Sequence, residues 1–224
     1  MFGDQLSVPL TIWAVINRGG EQAAQHSLAL QAVFAHIPGL KVVMPSTPYD
    51  AKGLLLASIE DDNPVVFIDE RWLYRDVGEV PEEMFCVPIG KGVIRCKGED
   101  VTIAASSYMV HEAMKAAKNL EKEDITAEVI DLRSIKPLDE QLLLESVCKT
   151  GRLVAVDGGW KTCGVAAEIL ALVAEKAHRY LKSPVVRVSL PDAPAPASSA
   201  LEKAFYPGGK EIVSVVKEIL AYRP

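Results

Sequence analysis

The feature that most constrains the fold is a regular alternation of short, apolar, β-branched segments with longer segments of helical periodicity. Residues 8–16 (VPLTIWAVI) predict a strand, and residues 21–36 predict one Ala-rich helix that ends at the HIPGL segment. Ser46 or Thr47 can cap a second helix that runs to Glu60. Short apolar strands follow both helices. This β-α-β-α-β order favours a parallel sheet.

A second half repeats the alternation after residues 76–90, which carry prolines, acids and no periodicity and therefore predict a linker. Its strands are predicted at 100–106, 126–132, 151–157 and 184–190, and its helices at 107–122, 138–148, 163–181 and 209–222. The Pro-rich segment 191–209 is expected to pack as a loop. The sequence thus predicts an α/β protein whose second half is a doubly wound domain with a mostly parallel sheet.

Charge and cysteine content exclude several function classes. The net charge is −6 and no Lys/Arg cluster is present, which argues against nucleic acid as a partner. The four cysteines form no C-x-x-C pair, so free thiols in a reducing cytoplasm are favoured over a zinc site or disulfides. No window reaches the roughly 18 uncharged apolar residues of a membrane span.

Two glycine motifs are candidate anion sites. The segment GKGVIR, residues 90–95, has Arg95 where a dinucleotide-binding loop needs its third glycine. The segment DGGWKTCG, residues 157–164, joins a strand to a helix, where backbone N–H groups can hold an anion. Close packing of strand against helix is the simpler explanation of the second motif.

Of the four histidines, His26 is the strongest candidate for chemistry. His111 and His178 lie among Lys and Glu residues, which predicts exposure, and His36 ends a helix, where it complements the dipole. His26 follows a glycine loop at a strand-to-helix junction, the usual location of sites in α/β proteins. The residues alone leave two roles open for it, a packed hydrogen-bonding group and a catalytic group.

Over nearly its whole length the chain resembles the beta subunit of thiamine-diphosphate-dependent 2-oxo acid dehydrogenases, the first component of the pyruvate and branched-chain complexes. The resemblance rests on AQHS, HIPGLKVVMPSTPYDAKGLLLASIEDDNPVVF, VPIGKG, EVIDLRSIKPLD and KTGRLVAVDGGW, which occur in the family's order and spacing. It implies the C-terminal half of a pyrimidine-binding domain at 1–75, a linker at 76–90 and a transketolase C-terminal domain at 91–224. Transketolase and deoxyxylulose-phosphate synthase share this plan but match less well.

The resemblance also implies a site. His26 corresponds to the active-site histidine of the QHS motif, which assists proton transfer or the handover to lipoyl groups. Main-chain carbonyls of the SIEDDNP turn would hold potassium, the residues being Ser58, Ile59, Asp61 and Asn63. The implied cofactor is thiamine diphosphate, with magnesium held mainly by an alpha subunit. The implied partners are that alpha subunit, a second beta subunit in an α2β2 assembly and a dihydrolipoyl acyltransferase core.

The sequence departs from the family in two respects. Family members have a long segment before the point where this sequence begins, containing a cofactor-activating glutamate, so residues 1–75 are expected to leave a sheet edge and an apolar face uncovered. The isolated chain is then expected to be inactive. Leu28 also stands where the family commonly has a polar residue. Two alternatives stay open: a split-chain enzyme of the transketolase or deoxyxylulose-phosphate synthase type, and a non-catalytic docking module.

Overall fold

A computed structural model describes residues 6–223, so the ends of the predicted 1–75 and 91–224 domains lie outside the described residues. The strands are β1 (Thr11–Ile16), β2 (Lys41–Val43), β3 (Val65–Glu70), β4 (Val93–Cys96), β5 (Val101–Ala105), β6 (Ala127–Asp131), β7 (Ser134–Lys136), β8 (Leu153–Trp160) and β9 (Val186–Leu190). The α-helices are α1 (Ala23–His26), α2 (Gln31–His36), α3 (Pro48–Ile59), α4 (Tyr108–Glu121), α5 (Glu140–Thr150), α6 (Val165–Ala177), α7 (Ser199–Phe205) and α8 (Gly209–Ala221). Short 3-10 helices cover Arg71–Arg75 and His178–Tyr180.

The first sheet has the strand order β1-β3-β2-β7. β1, β3 and β2 are parallel, and every residue of the central strand β3 is buried, as expected for a strand covered on both faces. The Thr47 hydroxyl accepts a hydrogen bond from the Asp50 N–H at 3.1 Å and so caps α3, as predicted. Within the described residues β1 lies at a sheet edge, where Trp13 is 62% exposed and Val15 48%.

The second sheet has the order β4-β6-β5-β8-β9, with only β4 antiparallel to its neighbour. Adjacent residues of β5 serve opposite faces because side chains alternate along a strand. Ile103 belongs to the cluster formed with α4 and α8, whereas Ala104 belongs to the cluster formed with α5 and α6. The predicted α/β class with mostly parallel sheets and a doubly wound second half is confirmed.

The two halves share one core and one buried ion network. β7 comes from the second half but pairs with β2 of the first. Asp50 of α3 and Asp131 of β6 are fully buried, and the Arg95 guanidinium of β4 contacts both carboxylates. Ser46 Oγ donates to Asp131 Oδ2 at 2.5 Å. Because buried charges are tolerated only when paired, this network strongly favours the observed contact between the halves.

The predicted continuous helix over 21–36 is wrong. Residues 27–30 interrupt it, and α1 contains only four residues. The reason is local hydrogen bonding: Asn17 N–H donates to the His26 carbonyl at 2.9 Å, and Ser27 Oγ donates to the Asn17 carbonyl at 2.8 Å. The chain therefore turns back to the end of β1, and the helix does not continue.

Three other elements differ from expectation. The predicted loop 191–209 contains α7, whose SALEKAF residues are mostly good helix formers and whose Phe205 is buried. β4 occupies the β-branched residues that follow the incomplete glycine motif. β7 is only three residues long, and its pairing with the distant β2 defines it.

Candidate functional site

A cleft of about 420 Å³ opens where β1 and β3 end. Its walls combine aliphatic and aromatic side chains with a few polar groups: Ala14, Val15, Ile16, Asn17, Gln25, His26, Leu28, Leu30, Phe34, Ile68, Arg71 and Tyr74. The carboxyl ends of parallel strands are the usual location of ligand sites in open α/β sheets. Both the volume and the mixture of apolar walls with convergent polar groups are typical of small-molecule sites.

His26 is the last residue of α1, and its exposed side chain lines this cleft. Its carbonyl accepts from Asn17 N–H, so its backbone is attached to the end of β1. In the described chain the exposed His26 side chain is therefore not packed in the core. An imidazole at the wall of a cleft can donate or accept a proton with a bound molecule.

The 3-10 helix after β3 contributes a cation and a phenol to the lining of the cleft. Arg71 and Tyr74 both line the cleft. The Tyr74 hydroxyl contacts both carboxylate oxygens of Asp69 at 3.1 Å, and Trp13 Nε1 donates to Asp69 Oδ2 at 2.9 Å. Burial raises the pKa of Asp69, and burial together with the neighbouring Asp69 charge raises the pKa of Tyr74. Tyr74 therefore stays a neutral hydrogen-bonding group near pH 7.

Two buried ionisable residues, Glu70 and Arg18, lie near the ends of β3 and β1, and the Arg18 charge acts on the Glu70 carboxyl. Glu70 ends β3 and is 3% exposed, while Arg18 follows β1 and is 4% exposed. Burial raises the pKa of Glu70 to about 7, opposed mainly by the Arg18 charge. The Arg18 guanidinium lies 5.2 Å from the Tyr108 ring centroid and 4.8 Å from that of Tyr206, within cation–π distance. Sequence reasoning missed both charges, because each resembles an ordinary polar residue at a strand end.

The DGGW segment serves packing, as the simpler explanation predicted. Asp157 is buried, and its carboxylate accepts from the Gly159 and Ala166 N–H groups at 2.9 and 3.2 Å. The start of α6 is therefore capped by the chain's own carboxylate. A Cβ at Gly164 would overlap the Trp160 carbonyl oxygen, which explains the glycine there.

The four residues of the potassium hypothesis lie together at the turn from α3 to β3. Asp61 Oδ1 accepts from Asn63 N–H at 2.9 Å, and Asp61 Oδ2 lies 2.5 Å from Lys41 Nζ. The Ser58 carbonyl accepts from the Thr11 hydroxyl at 2.8 Å. A carbonyl oxygen has two lone pairs, so the Ser58 carbonyl keeps capacity for a cation.

The remaining histidines lie away from the cleft. His36 ends α2 and His178 begins a 3-10 helix, and both are exposed. The predicted exposure of His111 is wrong: its side chain is 32% exposed, and Nε2 lies 2.7 Å from the Ser46 carbonyl and 3.4 Å from Asp76. The side chain is partly buried because α4, from the second half, packs against the first half near Ser46 and against Asp76.

Over residues 6–223, no group of three or more His, Cys, Asp or Glu side chains is arranged to hold a metal ion. None of the helices described there has the length and apolar character needed to cross a bilayer.

Comparison with known families and proteins gives consistent matches. The family model "Transketolase, pyrimidine binding domain" matches residues 1–77, and "Transketolase, C-terminal domain" matches residues 90–212. In Bacillus subtilis (strain 168), acetoin:2,6-dichlorophenolindophenol oxidoreductase subunit beta is 45% identical over 98% of this chain and 64% of its own length. Pyruvate dehydrogenase E1 component subunit beta of the same strain is 41% identical over 98% of this chain and 68% of its own.

A third relative from that strain, 2-oxoisovalerate dehydrogenase subunit beta, is 38% identical over 96% of this chain and 67% of its own. A solved structure, "Split gene transketolase, inactive beta4 tetramer", superposes with a TM-score of 0.80 and 27% identity, over 97% of this chain and 68% of that one. The chain thus spans about two thirds of the length of the proteins it matches.

Proposed function

Because the chain belongs to the transketolase family, and within it to the branch of dehydrogenase E1 beta subunits, we propose that it acts as part of such a subunit. The proposed reaction is the oxidative decarboxylation of a 2-oxo acid, with transfer of the acyl group to lipoamide. One observation carries the proposal: the QHS segment that supports the family match also presents the exposed His26 on the cleft at the ends of β1 and β3.

The cleft fits one side of thiamine diphosphate. Its apolar side chains suit an aromatic ring, and its polar side chains offer hydrogen-bonding groups and a positive charge. When bound, the cofactor supplies the stabilised carbanion on which decarboxylation depends. Leu28, Leu30 and Phe34 would form the apolar wall against it, and an alpha subunit would hold the magnesium ion and most of the diphosphate.

The chain's own residues would then orient groups and move a proton. His26 would give or accept a proton at an imidazole nitrogen during substrate addition or during the handover to a lipoyl group. Arg71, which also lines the cleft, would attract the substrate carboxylate. Tyr74, held by Asp69, would offer a neutral hydroxyl to the same substrate.

Further parts of the proposal concern the cation, the partners and the location. The turn formed by Ser58, Ile59, Asp61 and Asn63 would bind potassium through main-chain carbonyls. The proposed partners are an alpha subunit, a second beta subunit and a dihydrolipoyl acyltransferase core. The proposed location is the cytoplasm, which agrees with the four free cysteine thiols.

The test is reconstitution. The chain is mixed with an alpha subunit of the pyruvate, acetoin or 2-oxoisovalerate class, with and without the remaining third of the matching beta subunit. Cofactor-dependent turnover is then measured on all three substrates. We expect turnover with pyruvate or with 2-oxoisovalerate, the two 2-oxo acids, and we expect His26→Gln to reduce kcat by about 10² or more. Turnover with acetoin alone, which has no carboxyl group to lose, would contradict the proposed decarboxylation. His36→Gln is the matched control and should retain the wild-type rate.

Two other results would count against the proposal. Turnover that survives His26→Gln would exclude the proposed role of His26. Absence of turnover in every reconstitution, while the chain binds the acyltransferase's subunit-binding domain in a calorimetric titration, would favour the non-catalytic docking module.

A further inference from the structure

The segment that carries His26, residues 17–26 and here named the His26 loop, adopts an unfavourable backbone conformation. Gly19, Gly20, Glu21 and Ala23 have φ values of 72°, 71°, 61° and 54°. Residues other than glycine rarely adopt a positive φ, so the backbone at Glu21 and Ala23 is strained. Such a conformation persists only when surrounding contacts determine it. The contacts that hold the His26 loop in this conformation therefore also determine where His26 lies in the cleft.

Contacts with the second half hold the middle of the loop. Glu21 N–H donates to Glu202 Oε1 at 2.9 Å, and Glu21 Oε1 accepts from Ser199 N–H at 3.0 Å. The two bonds run in opposite directions between the strained residue and α7. Glu202 is only 8% exposed, so its carboxylate is partly shielded from competing water. We name this reciprocal pair of bonds the Glu21–Glu202 clamp.

A second contact attaches the start of the loop to the same segment. Arg18 Nη2 donates to the Pro207 carbonyl at 3.0 Å, and its guanidinium packs against the Tyr206 ring. The end of the loop is fixed differently, by the bond between Asn17 N–H and the His26 carbonyl. The residues between these fixed ends thus depend on α7 for their position.

We infer that Glu21 and Glu202 are positioning residues, which hold the His26 loop so that the imidazole faces the cleft. Neither residue lines the cleft, so their effect acts through the backbone of the loop. The catalytic consequence rests on the proposed function above, whereas the structural consequence does not. Glu202 should matter more than Glu21, because its bond to the strained N–H is the more buried of the two.

The first experiment is amide hydrogen exchange, followed by mass spectrometry, on the 224-residue chain. Glu202→Ala removes the acceptor, and we expect exchange in peptides covering 17–26 to accelerate about tenfold, the effect of losing one charge-assisted hydrogen bond. Glu202→Gln keeps an acceptor oxygen and should restore slow exchange. Asp100→Ala is the matched control, because Asp100 also accepts a backbone N–H, that of Thr126 at 2.7 Å, and neither residue contacts the loop.

Glu21→Ala provides a second variant in case Glu202→Ala fails to fold. It removes only the exposed bond to Ser199, so we expect a smaller acceleration in the same peptides. Unchanged exchange of residues 17–26 in both variants, with wild-type circular dichroism, would overturn the clamp.

The second experiment repeats the reconstitution assay with these variants. Glu202→Ala should lower kcat by about tenfold with little change in KM, and Glu202→Gln should recover most of the loss. Faster loop exchange without any loss of kcat in an active assembly would overturn the positioning role. If wild-type reconstitution shows no turnover, the exchange result still decides the clamp, and the failure belongs to the proposed function.

Discussion

Glu70 should make the free energy of unfolding depend on pH in the opposite sense to a salt-bridged surface carboxylate. Burial is the main cause of its shift and raises its pKa from 4.5 to about 7. Arg18, the Tyr108 backbone and His111 lower the value, while Asp157 raises it further. The native state therefore keeps a proton on Glu70 that the unfolded chain has released.

The size of the effect follows from the two pKa values. A difference of about 2.5 units, from 4.5 to about 7, corresponds to about 3 kcal/mol at 1.36 kcal/mol per unit. The sign follows from proton binding: the native state binds more protons between these values, so this contribution to stability is fully present below pH 4.5 and is lost as pH rises through 7. Between these two pKa values, the contribution of Glu70 to the free energy of unfolding falls by at most about 1.4 kcal/mol per pH unit.

The assay is urea unfolding of the wild type and Glu70→Gln at pH values from 5 to 8. Glutamine cannot ionise, so its contribution to the free energy of unfolding should stay constant across this pH range. The stability of Glu70→Gln minus that of the wild type should therefore grow by about 2 to 3 kcal/mol from pH 5 to pH 8. Glu79→Gln, at an exposed residue, is the control and should show no such trend. A difference that is flat or falls with pH would refute the argument.

Three further predictions test the packing and the cation hypothesis. Arg95→Ala should lower the free energy of unfolding in urea by about 3 to 5 kcal/mol, because it leaves Asp131 buried without a cation while Asp50 keeps its ion pair with Arg133; a loss below about 1 kcal/mol would contradict this account. Gly164→Ala should cost about 1 to 3 kcal/mol, measured as a lower Tm, because the new methyl overlaps the Trp160 carbonyl; an unchanged Tm would show that the turn relaxes freely. If the turn after α3 binds potassium, Tm should be higher in a potassium salt than in the sodium salt at the same concentration. Identical melting curves in the two salts would count against the site.

The sequence predicted long elements well and short or interacting ones poorly. α3 could be placed because Thr47, Pro48 and Asp50 provide a cap, a first-turn proline and a favourable charge within four residues. β7 could not, because its three residues form a strand only by pairing with β2 from the other half. The break after His26 was also invisible, since it depends on the hydrogen bonds that join His26 and Ser27 to Asn17 at the end of β1, which the apolar periodicity does not indicate.

In the candidate site, too, only the residue marked by a local motif could be predicted. A motif within one short segment identified His26, and the general location of sites at strand ends agreed with it. Glu70 and Arg18 could not be identified from the sequence. What distinguishes them is their burial, which arises only when the two halves of the chain pack together. Asp69 and Tyr74 likewise gain their shifted pKa values from three-dimensional neighbours and not from their local sequence.

The segment 76–90 shows that a segment without helices or strands need not be flexible. It has no regular structure, as its composition indicated, yet it is packed onto α3. Val87 is 3% exposed and donates its N–H to the Gly53 carbonyl at 3.0 Å, while Phe85 stacks on Tyr49 with ring centroids 4.4 Å apart. A flexible tether would allow the halves to move independently, but a packed connection combined with β7 and the buried ion network does not. The position of the His26 loop can therefore depend on α7, because the half that supplies α7 is held in place against the half that supplies the cleft.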